Sequence, residues 1–192
     1  VPPSTRWELL LVHGAGTTVG EAAVRLALHR GVRVVATAGS TRAAALAEAG
    51  AAVTGYGDGM AERVAALAGG RVDRALDAAP TGGRVDRPDQ AGPASGALPT
   101  LVGLTGDADH VVTVSDFAAD HVVTVSDFAA AAELGVRTST ELRFDAMDEF
   151  ARLAGEGVLV VPVARTYPLD RVREAAELSR SRRAGGKLVL VL

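Results

Sequence analysis

Residues 9–12, Leu-Leu-Leu-Val, form an unbroken apolar run, the pattern of a strand buried on both faces. A glycine-rich turn follows. Apolar positions at Val24, Leu26, Ala27 and Leu28 then predict a helix, stopped at Gly31. The pattern recurs down the chain. Residues 32–36 predict a second strand, 41–49 an alanine-rich helix stopped by Gly50, and 51–54 a third strand. Residues 60–68 predict a third helix ending in Gly69-Gly70, and 74–78 a fourth strand. Strand and helix alternate with the βαβ rhythm of a doubly wound parallel α/β sheet. Right-handed crossovers then place helices on both faces of that sheet.

Past residue 80 the rhythm breaks. Residues 81–96 are rich in Gly, Pro, Asp and Ser and read as an exposed loop. Beyond them the pattern predicts a short helix over 97–104 and strands over 111–114 and 136–140. A helix over 145–154 follows, with Asp145 near its start, then a strand over 158–163, a helix over 169–180 and a final strand over 187–192. Residues 109–119 read DHVVTVSDFAA, and residues 120–130 repeat them without a difference. A weaker echo, GGRVDR, stands at 69–74 and 82–87. The two copies of the long repeat carry the same short strand, too close together for the roughly dozen residues that a parallel crossover needs. We therefore expect one copy in the sheet and the other extruded as a loop.

Composition narrows the function classes. Hydrophobic residues make up 48% of the 192, but aromatics only 4%, which suits helices packed on a sheet and not a base-stacking platform. The net charge of −3 offers no basic field for nucleic acid or anionic lipid. With no cysteine there is no disulfide, thiolate metal site or cysteine nucleophile. No apolar run approaches a membrane span and no signal peptide is visible, so a soluble cytoplasmic protein is expected. The chain has no initiator Met and enters a strand within its first ten residues, so it reads as part of a longer polypeptide.

The turn after the first strand carries the best chemical signal. Gly14, Gly16 and Gly20 are spaced G-x-G-x-x-x-G between a buried strand and a helix. At such a junction free backbone N–H groups and the positive end of the helix dipole meet phosphate, and glycine lets the backbone approach a pyrophosphate. The expected fold is thus Rossmann-type. The end of the second strand discriminates between cofactors. An NAD site usually places Asp or Glu there for the ribose 2′-OH. This chain reads Ala36-Thr37-Ala38-Gly39-Ser40-Thr41-Arg42, with no acid. Hydroxyls at Ser40 and Thr41 and the guanidinium of Arg42 suit a 2′-phosphate, so NADP(H) is the expected cofactor. Ser40 also reads as a helix N-cap with Arg42 on the first turn; both roles can hold together.

The stretch LLLVHGAGTTVGEAAVRLALHRGVRVVATAGSTR resembles the cofactor domain of the medium-chain dehydrogenase/reductase superfamily, in particular its zinc-independent quinone oxidoreductase branch. DFAAAAELGVRTS and VVPVARTYPLDRVREAAELSRSRRAGGKLVLVL resemble the same family's C-terminal half. The resemblance implies a pyrophosphate turn of Ala15, Gly16, Thr17, Thr18, Val19 and Gly20, where the family often has glycines in place of Thr17 and Thr18. It implies Arg42 for the 2′-phosphate, Tyr56 beside that phosphate and the adenine, and Arg182 in a similar late role. Ala78 and Ala79 would lie along the cofactor. It also implies two domains: residues 1–160 holding NADP(H), and 161–192 a strand–helix–strand that helps complete a catalytic domain of GroES-like fold. That domain, which supplies most of the substrate cleft, is missing from this chain. The family's edge strand, here 136–140, often pairs across a two-fold axis, so a homodimer is expected.

Other residues read as structural. His13 at the end of the first strand reads as packed or capping and His29 as a helix-surface residue. The acids Asp145, Asp148 and Glu149, and Glu174 and Glu177, read as solvated helix faces. No metal-ligand cluster, Tyr-x-x-x-Lys or Gly-x-Ser-x-Gly motif is present. The expected activity is NADPH-dependent reduction of a small quinone, enone or related substrate, including the enoyl-reducing module of a larger synthase. The alternative is a catalytically inactive nucleotide-binding or assembly module.

Overall fold

The computed structural model describes residues 8–79, 97–113, 144–181 and 184–192, with Glu133, Gly135 and Arg137–Thr138 between them. The described residues divide into two compact units at Met147/Asp148, whereas the sequence reading draws its boundary at 160. No described helix is long and apolar enough to cross a membrane.

The first unit is a six-stranded sheet in the order β3-β2-β1-β4-β5-β6. Its strands are β1 (Leu9–His13), β2 (Arg33–Thr37), β3 (Ala52–Thr54), β4 (Arg74–Asp77), β5 (Val111–Thr113) and β6 (Arg137–Thr138). Every pairing is parallel. Side chains alternate across the sheet, so the apolar run of β1 feeds two cores. Leu10 and Val12 face Val24 and Ala27 of α1 (Thr18–His29) and Leu46 of α2 (Ser40–Glu48). Leu9 and Leu11 face Val64 and Ala68 of α3 (Met60–Ala68) and Leu98 and Leu101 of α4 (Leu98–Thr105). The doubly wound Rossmann-type architecture is therefore as expected, and the strand order reverses between β1 and β4, where open α/β sheets place their ligands.

The first copy of the repeat supplies β5, which lies between β4 and β6. The second copy, the 81–96 loop and Arg182 lie outside the described residues.

The second unit contains α5 (Met147–Gly155), β7 (Val163–Pro168), α6 (Val172–Arg180) and β8 (Lys187–Val191), with β7 and β8 parallel. The strand expected over 158–163 is corrected: β7 begins only at Val163. The amides of Val158 and Leu159 both turn back to the Leu153 carbonyl, closing the end of α5. Pro162 has no N–H to give a ladder. An apolar run was legible there, but the helix end claims its first residues. Tyr167 is the buried side chain of β7, with the Arg165 and Arg171 guanidinium groups 5.7 and 5.9 Å from its ring centroid. Val163, Leu190 and Val191 remain exposed on this strand pair.

Candidate functional site

The register sets the site. Thr54 of β3, Thr37 of β2, His13 of β1, Asp77 of β4, Thr113 of β5 and Thr138 of β6 are successive Cα partners across the sheet. At this carboxyl edge β3, β2, β1 and β4 thus each close on a polar residue, while the residues before it in β1 are aliphatic. At its centre His13, Thr37 and Asp77 are all buried. The His13 Nδ1 lies 2.8 Å from the Thr37 hydroxyl, which also accepts from the Gly14 amide at 3.3 Å. Burial pushes the His13 imidazole down to about 4. The ring is therefore neutral near pH 7, and one hydrogen bond joins its Nδ1 to the Thr37 hydroxyl.

Tyr56 packs edge-on against His13, with ring centroids 5.4 Å apart and planes at 89°. Burial, and then the nearby Asp77 charge, raise its phenol above the ordinary tyrosine value. The loop that carries Tyr56 is stapled by Arg63, whose guanidinium donates to the Thr54 hydroxyl and to the carbonyls of Gly55, Tyr56 and Asp58. Arg63→Ala is expected to cost about 1 kcal/mol, because these bonds are exposed and partly replaced by water. Chemical denaturation of parent and variant checks this.

The sign of the His13 effect on stability is fixed by its shift. Below the ordinary value of 6.5 the unfolded chain binds a proton that the folded chain refuses until about 4. Stability from this group is therefore full above pH 6.5 and falls as the pH drops towards 4. The loss amounts to about 1–2 kcal/mol by roughly pH 5. Denaturant melts of the parent and of His13→Asn across that range should converge on the acid side if this holds. Parallel pH profiles would contradict it.

The turn itself is held by Thr17, the N-cap of α1. Its hydroxyl accepts from the Gly20 amide at 3.0 Å and donates to the Gly14 carbonyl at 2.9 Å. Thr17 thus builds the turn where the family often has glycine. A Cβ on Gly20 would lie 2.3 Å from the Gly14 carbonyl oxygen, and one on Gly14 would lie 2.2 Å from the Ala79 nitrogen. These two glycines therefore serve the packing of α1 and of the β4 exit against β1. At Gly16 a Cβ would meet only Arg42, whose Cγ would be 3.3 Å away. The amides of Gly14, Ala15, Thr17, Gly20 and Glu21 are all bonded within the turn or to Thr37. Among the described residues, no acceptor meets the amides of Gly16, Thr18 and Val19. Three unclaimed donors at the positive end of a twelve-residue helix fit a pyrophosphate.

The sequence-predicted residues converge only in part. Gly14 to Gly20, Arg42, Tyr56, Ala78 and Ala79 gather at this sheet edge. Ala78 and Ala79 are buried there, the first bonded to the His13 carbonyl and the second to the Asp77 carboxylate. Ser40 and Thr41 are exposed on the first turn of α2. The cap of α2 is Gly39, which has no side chain to offer, so Ser40 is not an N-cap. Arg42 is not solvated: its guanidinium is bonded to the carboxylate of buried Glu21, which also takes Nε and Nη2 of Arg25 at 3.1 and 3.0 Å. Sequence reasoning missed Glu21, Thr37 and Asp77, and read His13 as structural. The one available signal was a polar residue closing each apolar strand.

Residues 50–190 match the family model of zinc-binding dehydrogenases. The chain belongs to that family. No curated protein matches it in sequence. Among solved structures, an NAD-dependent alcohol dehydrogenase is 25% identical with a TM-score of 0.69; the match covers 96% of this chain and 51% of that one. The quinone oxidoreductase from Coxiella burnetii, at 20% identity and a TM-score of 0.64, shares the fold over 96% of this chain and 53% of its own. The quinone oxidoreductase of Pseudomonas syringae pv. Tomato DC3000 does so at 18% identity and 0.64, over 99% and 58%. This zinc-binding dehydrogenase family member, of the medium-chain dehydrogenase/reductase superfamily, thus spans about half the length of the structures it matches. Its described residues do not fit zinc. The sequence has no cysteine, and no three His, Asp or Glu side chains converge among the described residues.

Proposed function

We propose that this chain is the NADP(H)-holding portion of an oxidoreductase that reduces a quinone, an enone or a similarly activated alkene or carbonyl. One observation carries the reading. The unclaimed amides of Gly16, Thr18 and Val19 stand at the start of α1, and Arg42 crosses directly over Gly16. The first suits a pyrophosphate and the second a 2′-phosphate on the adjoining ribose. When bound, the nicotinamide supplies a hydride, and the substrate completes its reduction with a proton from solvent. The chain's own residues bind and orient. The α1 amides take the pyrophosphate, Arg42 the 2′-phosphate with Ser40 and Thr41 beside it, and Tyr56 the adenine side. Ala78 and Ala79, having no bulk, leave the sheet edge open beside β1. Neutral His13 keeps a positive charge out of the buried polar row.

The exposed apolar residues of β7 and β8 support a covering partner, for which we propose the catalytic domain that would provide the substrate cleft. Edge strand β6 is proposed to pair across a two-fold axis in a homodimer. The test is turnover by the complete protein. NADPH oxidation should depend on a quinone or enone, and should be lost when Gly16 is replaced by Asp, which puts a negative charge beside the α1 amides. Nucleotide binding without turnover on any such acceptor would favour an inactive binding module instead.

A further inference from the structure

We infer that Glu21 is a specificity-determining residue that acts through Arg42, holding back the guanidinium meant for a 2′-phosphate; this rests on the NADP(H) reading above. Glu21 is the only acid in the first turn of α1, and its side chain is about 5% exposed, at the lip of the phosphate turn. A buried carboxylate there opposes anion binding unless cations neutralise it. Two arginines do so. Arg25, one turn along α1, binds one carboxylate oxygen through two nitrogens. Arg42, from α2, binds the other.

The two arginines compete for one negative charge. Arg42 reaches Glu21 only by laying its aliphatic stem over Gly16, where any Cβ would press on Cγ at 3.3 Å and on its own Cβ at 3.4 Å. That path carries the Arg42 stem over the phosphate turn and its guanidinium to the Glu21 carboxylate. The arrangement orients Arg42 but cancels part of its charge. The cofactor 2′-phosphate must therefore compete with Glu21, whereas a cofactor with a bare 2′-OH does not meet this competition. Glu21 thereby narrows the gap between the two nicotinamide cofactors, and Arg25 sets how much of its charge reaches Arg42.

Two variants move the balance in opposite directions. Glu21→Gln keeps the shape and an acceptor oxygen but removes the Glu21 charge from Arg42. Arg25→Gln leaves the whole Glu21 charge to Arg42. The probes are 2′,5′-ADP and NADPH, which carry the 2′-phosphate, and 5′-ADP and NADH, which do not. All are titrated calorimetrically against the parent, both variants and Glu21→Gln/Arg42→Ala. Glu21→Gln should tighten the 2′-phosphate ligands about fivefold to tenfold, Arg25→Gln should weaken them about threefold, and the other ligands should shift less than twofold. In the double variant the gain should vanish. Equal shifts for both ligand classes, or none, would overturn the role of Glu21 while leaving the NADP(H) reading intact. A parent that binds none of the four overturns both.

Discussion

Gly14→Ala is expected to destabilise the first unit by about 2–5 kcal/mol, a large share of the stability of a typical domain. Two independent costs add. Gly14 has φ +82°, where a side chain costs about 1–2 kcal/mol. The new Cβ would also stand 2.2 Å from the Ala79 nitrogen and 2.4 Å from the Ala78 carbonyl carbon. Both are backbone atoms, and the Ala78 amide is held to the His13 carbonyl at 2.7 Å, so relief requires β1 and the β4 exit to separate. Overpacking of that kind costs about 1–3 kcal/mol. Gly103 in α4 provides the control. Nothing lies within 4 Å of its Cβ position, and alanine there should stabilise by about 0.5–1 kcal/mol through helix propensity. Urea unfolding of both variants measures the contrast. A Gly14→Ala midpoint equal to that of the parent would refute this description of the turn.

Arg42→Ala should weaken NADPH binding by about 10- to 100-fold and leave NADH within about twofold. Loss of a charge-assisted contact to a phosphate removes about 1.5–3 kcal/mol. The variant should remain folded, because Glu21 keeps the doubly bonded Arg25 and so is not left as an unpaired buried charge. A parallel loss of both cofactors would mean that Arg42 serves the turn as a whole and not the 2′-phosphate.

The sheet was legible because its signals are local. The aliphatic runs of β1 and β2, and glycines at 31, 50 and 69, mark strands and helix ends within a few residues of each other. The strand expected at 158–163 failed for an equally local reason, since the amides of Val158 and Leu159 belong to the end of α5. The phosphate turn was legible for its glycines, but two of the three prove to be packing glycines, Gly14 against Ala79 and Gly20 against Gly14 itself. What the sequence hid depends on register and crossing. His13, Thr37 and Asp77 become neighbours only because β2, β1 and β4 pair as they do. Along the chain, Glu21 and Arg25 are only an i,i+4 pair at a helix start. The carboxylate becomes part of the site only when α2 brings Arg42 across Gly16.

Calorimetric titration of this chain with NADPH and, separately, with NADH tests the central claim most directly. The account predicts that both bind at the α1 turn, with NADPH tighter, and that Arg42→Ala removes the difference. Absence of binding by either cofactor to the folded chain would contradict it, because the three free amides would then have no nicotinamide nucleotide to hold.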